Sequence, residues 1–312
     1  MKVFIQTNHK QILGAYVAAY LLKRNSANPE AFEVELMELK DLPALHGRSG
    51  QHYRRNGVDV AWDNEDLQSF TLTRFLPPEL MGYQGRAVVI DPEVFALGDV
   101  NELLAMDMQG KAIRCRHIAA HKQQPDHWAT SVMLLDNAKL THWRWQENLD
   151  ELFSGKRDYR DWMSLLLEDQ STIGDLDEVW NSLDKLTPET RMLHTTKRLT
   201  QPWKTGLPVD FSRIDKPPRL WKKARKRHLV PSADSWIGNK IREGFRRGEH
   251  RLIPRTYQPN SDPRQVEFFF ESVAECLEKG VFDEALVKRE IAAGHVRKDA
   301  LEVVAGYRSR VA

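Results

Sequence analysis

The apolar run Ala87-Val88-Val89-Ile90 ends abruptly in Asp91-Pro92-Glu93. Such a run predicts a buried strand. Two carboxylates leaving a strand at i and i+2 project to the same side. Together they can hold a hard divalent cation, which prefers oxygen ligands, and that cation could neutralise a diphosphate leaving group. Asp-Pro is also a common turn dipeptide, and Glu93 could simply be solvated, so by itself the motif reads better as a surface turn. A second cluster is basic, RLWKKARKRH from Arg219 to His228. It could meet an anionic lipid surface, a polyanionic acceptor or RNA; a solvated helix face weighs equally against these uses together. Trp143 and Trp145 could platform a sugar ring, but most tryptophans bury in a core, and core is expected for at least one of them.

These residues need elements to position them. KVFIQT reads as an opening buried strand, and ILGAYVAAYLLKRNS as the helix that follows it. FEVELMEL alternates like a second strand. QSFTLTRFLPPELMGY reads as a helix broken at Pro77-Pro78. AVVID is a strand, DVNELLAM begins a helix with Asp99 as N-cap, and KAIRCRHI and TSVMLLDN are further strands before the helix HWRWQENLDELF. Strands alternating with helices to about residue 190 predict a doubly wound α/β domain with a largely parallel sheet. The composition changes after about residue 212, where KPPRLWKKARKRHLVP carries prolines and the basic run. PRTYQPNSDP resembles a linker. The final stretch, interrupted by Gly280, has helical periodicity with an apolar stripe of Phe268, Phe269, Val273, Leu277 and Phe282, which must bury against something. The expected division is 1–212 for the α/β domain and 213–312 for a basic linker and helical extension.

Bulk composition excludes several classes. The 312 residues are 41% hydrophobic and 29% charged with a net charge of +2, which predicts a soluble globular protein with no strongly charged partner overall. Two cysteines, Cys115 and Cys276, form neither a disulfide framework nor a metal-ligand spacing, so a reducing cytosol is the simplest reading. The start, MKVFIQTNHK, lacks the apolar core of a signal peptide, and no apolar run nears the ~20 residues needed to span a bilayer. The expected location is cytoplasmic, with peripheral contact at the inner membrane face as a second use of the basic run.

Four segments together resemble family 8 glycosyltransferases, in the family's order. VVIDPEVFALGDVNELL is similar to the family's apolar strand, Asp-x-Asp, Gly-Asp and Glu-Leu. VFIQTNHKQILGAYVAAYLLKRNS is similar to its opening strand, Thr-Asn pair and Gly-Ala-x-Val helix. FTLTRF is similar to the helix before its metal motif, and LHTTKRLTQPWKTGLP to its late His followed by Lys-Pro-Trp. The resemblance covers about residues 1 to 211. It implies a GT-A fold, a Rossmann-like, mixed, mostly parallel sheet with helices on both faces, here with a C-terminal helical extension.

By position, the resemblance implies that Thr7 and Asn8 contact the nucleotide and Arg74 reaches the diphosphate or donor sugar. It implies Asp91, Glu93 and His194 as ligands of manganese or magnesium, and aligns Glu178 with a later acidic catalytic motif. The sequence departs from the family at several places. Glu93 replaces an Asp, Gln11 replaces an aromatic, Ala129 replaces a sugar-contacting Asn, and Gln201 replaces the phosphate-binding lysine, for which Lys197 or Lys204 could substitute. The departures suit a divergent bacterial branch. The reading is a metal-dependent, retaining, hexosyltransferase-like enzyme that moves a sugar from a nucleotide-sugar donor, UDP-sugar by preference, to a glycan, lipid-linked or protein acceptor. The alternatives are a non-catalytic relative that binds a nucleotide-sugar or glycan, and a polyanion-binding module built on Arg219 to His228, with nucleic acid the less favoured partner.

Overall fold

A computed structural model describes residues 1–120, 126–211 and 256–311 of the chain. Its centre is a six-stranded sheet in the order β2-β1-β5-β8-β7-β9. The strands are β1 (Lys2–Thr7), β2 (Glu33–Glu38), β5 (Arg86–Ile90), β7 (Ile113–Ile118), β8 (His127–Asp136) and β9 (Ile173–Asp175). β1 runs parallel to β2 and β5, and β7 runs parallel to β9, while β8 lies antiparallel to both β5 and β7. Five strands therefore share one direction and β8 opposes them, which is the mixed, mostly parallel α/β sheet expected. Two smaller pieces complete the strands. A hairpin joins β3 (His52–Arg55) to β4 (Val58–Ala61), and a three-stranded sheet joins β6 (Val94–Ala96), β10 (Ser182–Leu183) and β11 (Met192–His194).

Alternation along the strands divides the interior into two cores. Val3, Ile5, Val88, Ile90, Val132 and Leu134 face one side, and Phe4, Ala87, Val89, Met133 and Leu135 the other, all fully buried. A strand covered on both faces reads as a continuous apolar run, as Ala87 to Ile90 does. Each such Val, Ile or Leu side chain contributes about 1.5–3 kcal/mol by leaving water. The first face is covered by the helix Ile12–Arg24, the short helix Val100–Leu104 and the C-terminal helix Pro263–Glu278. The second is covered by a 3-10 turn at Thr71–Phe75 and the helices Trp145–Phe153 and Tyr159–Met163. Trp143 and Trp145 both belong to this second core; their indole N–H groups donate to Glu168 Oε1 and to the Leu72 carbonyl, each at 2.9 and 2.8 Å respectively.

Asp99 caps its helix as expected, accepting from the Asn101 N–H at 2.8 Å. The segment around Pro77-Pro78 differs from expectation. It is a 3-10 turn followed by a separate short helix, Pro77–Leu80, that begins at the proline pair. Proline lacks an N–H and presets φ, so it suits a helix's first turn and not its interior. The C-terminal segment is helical, at Pro263–Glu278, Glu284–Ala292 and Ala300–Val311. The apolar buried face of Pro263–Glu278 comprises Phe269, Phe270, Val273, Ala274 and Cys276, with Phe268 and Leu277 only partly covered, and Phe282 beyond it is also buried. Phe269 packs on Trp203 and Phe95 at ring separations of 4.6 and 5.6 Å, so these helices join the first core. Among the described residues no helix is long and apolar enough to cross a membrane. The basic run Arg219 to His228 lies outside the described residues.

Candidate metal centre

The parallel neighbours β1 and β5 end at the same edge of the sheet, with Ile5 opposite Ile90. Open sheets of this kind bind ligands at the carboxyl ends of their strands. The next residues, Gln6 and Asp91, touch: Gln6 Nε2 donates to Asp91 Oδ1 at 2.5 Å. The Val94 N–H donates to the Asp91 carbonyl at 3.1 Å, closing a turn with Pro92 second in it, where its fixed φ fits. The turn brings the Glu93 carboxylate back beside that of Asp91. Gly14, on the first helix, accounts for the closeness of this turn to the helix. A Cβ at that position would lie 2.9 Å from the Pro92 carbonyl oxygen.

His194 arrives through the small sheet. β6 pairs antiparallel with β11, placing Val94 opposite His194, and the Thr195 N–H donates to the Glu93 carbonyl at 3.2 Å. Asp91, Glu93 and His194 are all buried, and each offers a ligand atom within 4.8 Å of the others. Arg74 completes the group. Its guanidinium forks, with Nη2 donating to Asp91 Oδ1 at 2.9 Å and Nη1 to Thr130 Oγ1 at 2.5 Å. Gln6 and Arg74 thus both occupy Oδ1, leaving Oδ2 for a cation.

Electrostatics follow from burial. Glu93 is pushed up to about 8, first by desolvation and then by the Asp91 charge. Desolvation also raises Asp91, opposed by Arg74 and the Gln6 hydrogen bond. Burial, then the Arg74 charge, lowers His194 to about 3, so the ring is neutral at pH 7. Its Nδ1 lies 3.0 Å from Asn181 Oδ1. Asn181 Nδ2 donates to the Ala129 carbonyl at 3.4 Å, an oxygen that can only accept, so the amide's Oδ1 faces the ring and His194 Nδ1 is the donor. The Nε2 lone pair is then free to ligate. Glu93 Oε2 is buried without a hydrogen-bond partner. Two carboxylates, one with an orphaned oxygen, and a neutral imidazole fit a divalent cation such as manganese or magnesium.

The remaining predicted residues fall elsewhere. Thr7 is buried and its hydroxyl donates to the Asn8 carbonyl. Asn8 is committed inside the protein: its amide donates to the Asp66 and Leu67 carbonyls and Ser69 Oγ, and its Oδ1 accepts from the Lys10 N–H. It pins the 66–69 loop to the end of β1. Glu178 turns outward to Arg116, 2.6 Å away, because its 3-10 turn directs Asn181, not Glu178, at His194. Lys197 is exposed. Lys204 is fully buried, with Nζ 3.2 Å from Asp210 Oδ2, so its charge is already compensated inside the protein. The partners that sequence reasoning missed are Gln6, Thr130 and Asn181. Gln6 lies in the opening-strand segment of the resemblance without a role there, the other two lie outside its four segments, and only strand register or side-chain direction could have found them.

No protein-family model matches the chain, and no curated protein matches it. Among solved structures, the chain is similar to the glycosyltransferase GlyE of Streptococcus pneumoniae TIGR4, with 12% identity and a TM-score of 0.46 over 84% of this chain; it spans 65% of that structure's length. It is similar to the galactosyltransferase LgtC, solved with donor and acceptor sugar analogues, with 12% identity and a TM-score of 0.42 over 76% of this chain and 99% of that one. It is also similar to mouse xyloside xylosyltransferase 1, with 11% identity and a TM-score of 0.39 over 63% of this chain and 97% of that one.

Proposed function

We propose that the chain is a metal-dependent glycosyltransferase of GT-A type that takes a sugar from a nucleotide-sugar donor and transfers it with retention to a glycan, lipid-linked or protein acceptor. The observation that carries this reading is the buried convergence of Asp91, Glu93 and His194, with Arg74 on Asp91, at the carboxyl end of β5. A bound manganese or magnesium ion would supply positive charge opposite the departing nucleoside diphosphate. The chain's own residues prepare that place. Arg74 and Gln6 orient Asp91 and favour its ionised form. Asn181 holds His194 in the tautomer that presents Nε2. The Pro92 turn fixes the spacing between the two carboxylates, and burial of all three excludes water, which strengthens each charge interaction. Thr7 and Asn8 shape the loop after β1, where the nucleotide would lie. In this reading residues 1–212 form the transferase unit and 213–312 an extension whose helices pack on it.

The test uses the full chain. Manganese should bind, manganese should permit binding of uridine diphosphate, and one of a panel of UDP-sugars should be hydrolysed or transferred. His194→Ala and Asp91→Asn should abolish the manganese dependence. Binding of uridine diphosphate that is independent of manganese and unchanged in both variants would sink the proposal. Manganese-dependent binding without turnover of any donor would make the chain a non-catalytic relative.

A further inference from the structure

Arg198 lies on the segment that follows His194, at the start of the 3-10 turn Arg198–Thr200. Its side chain reaches to the opposite wall. Nη2 donates to Gln68 Oε1, on the loop that Asn8 pins to the end of β1, and Cζ sits 5.5 Å from the Phe211 ring. The side chain therefore bridges the His194 segment and the loop beside β1. One end of the bridge is four residues beyond His194, and the other is the loop bonded to Asn8, two residues beyond Gln6, which bonds Asp91. Arg74 and Lys204 are each engaged by a carboxylate, Asp91 and Asp210. Of these three cations, Arg198 alone has no carboxylate partner among the described residues. A half-buried guanidinium held by a neutral amide and an aromatic face retains its charge for an anion.

A second observation lies on the same segment. Gln201 is fully buried, yet neither its Nε2 nor its Oε1 has a hydrogen-bond partner. Buried amides are normally paired, so two orphaned atoms on one side chain mark the stretch after Arg198 as short of a polar partner.

We propose that Arg198 is a diphosphate-binding residue, its guanidinium leaving Gln68 to pair with the phosphate oxygens held over Asp91, Glu93 and His194. The assignment rests on the donor-site reading above. It gives the site two guanidinium groups with separate duties: Arg74 orients a metal-binding carboxylate, and Arg198 contacts the ligand.

The experiment is calorimetric titration of the full chain, at saturating manganese, with pyrophosphate, uridine diphosphate and uridine monophosphate. Arg198→Ala should weaken pyrophosphate and the diphosphate at least about tenfold and the monophosphate about threefold or less. Arg198→Lys should recover part of the loss, since it keeps the charge without the fork. Gln68→Ala should leave diphosphate affinity within about twofold or tighten it, because it releases the guanidinium. Manganese affinity should stay within about twofold in all variants. Diphosphate affinity unchanged by Arg198→Ala overturns the assignment alone. Equal losses for mono- and diphosphate also overturn it, since Arg198 would then merely hold the Gln68 loop. If the unsubstituted chain binds neither pyrophosphate nor diphosphate with manganese, the donor-site reading fails and takes this assignment with it.

Discussion

Glu93→Gln should make the metal-free protein more stable and remove the stability that manganese adds. The substitution keeps the side chain's shape and removes a charge. In the metal-free chain the Glu93 carboxyl is buried, has an unpartnered Oε2 and is pushed up from 4.5 to about 8. Because the folded state holds its proton more tightly than the unfolded state, stability is full below about 4.5 and falls as pH rises from there to about 8. A displacement of that size corresponds to at most about 5 kcal/mol at pH 8.5. Glutamine cannot ionise, so the variant should lack this decline and exceed the parent at pH 8.5 in the presence of a chelator. Manganese should narrow the gap, because only the parent gains from it. At about a hundredfold over its dissociation constant, a bound ligand contributes about 2.7 kcal/mol, or a rise of about 4 °C for a chain of this length. The variant should gain almost nothing. Thermal melts at pH 5 and 8.5, with chelator and with manganese, read all four states. A variant that is less stable than the parent in chelator at pH 8.5, or that gains as much from manganese, would refute the reasoning.

Two further substitutions probe the support of the centre. Asn181→Ala removes the acceptor that holds His194 Nδ1 at 3.0 Å; manganese affinity should fall about 10- to 100-fold, and a titration showing no change would mean that the ring is oriented by other contacts. Gly14→Ala should gain about 1 kcal/mol of helix propensity and lose about 1–3 kcal/mol by overpacking. The new Cβ would press on the Pro92 carbonyl at 2.9 Å. The result should be no net stabilisation and weaker manganese binding, because Pro92 separates two ligands; a variant that melts higher and binds manganese normally would show that the turn yields freely.

The sequence by itself determined the strand at Ala87 to Ile90, the turn at Asp91-Pro92-Glu93, the helix after β1 and the helical C-terminal segment. These follow from apolar period and turn chemistry, which are local. It also supplied Asp91, Glu93, Arg74 and His194 as a set, through a resemblance spread over four segments. Tertiary structure decided which neighbours complete that set. Gln6 meets Asp91 because β1 and β5 pair in one register, and a slip by one residue would turn Gln6 to the other face. His194 meets Glu93 because β6 and β11 pair antiparallel. Asn181 faces inward and Glu178 outward from a single 3-10 turn, a choice of direction that their order in the chain does not encode. By sequence Lys204 could substitute for the phosphate-binding lysine, but packing encloses it with Asp210, whereas Arg198, in the same segment but without a role there, is left without an acidic partner among the described residues. Charge type is a property of the residue, while its exposure and partner are properties of the packed chain.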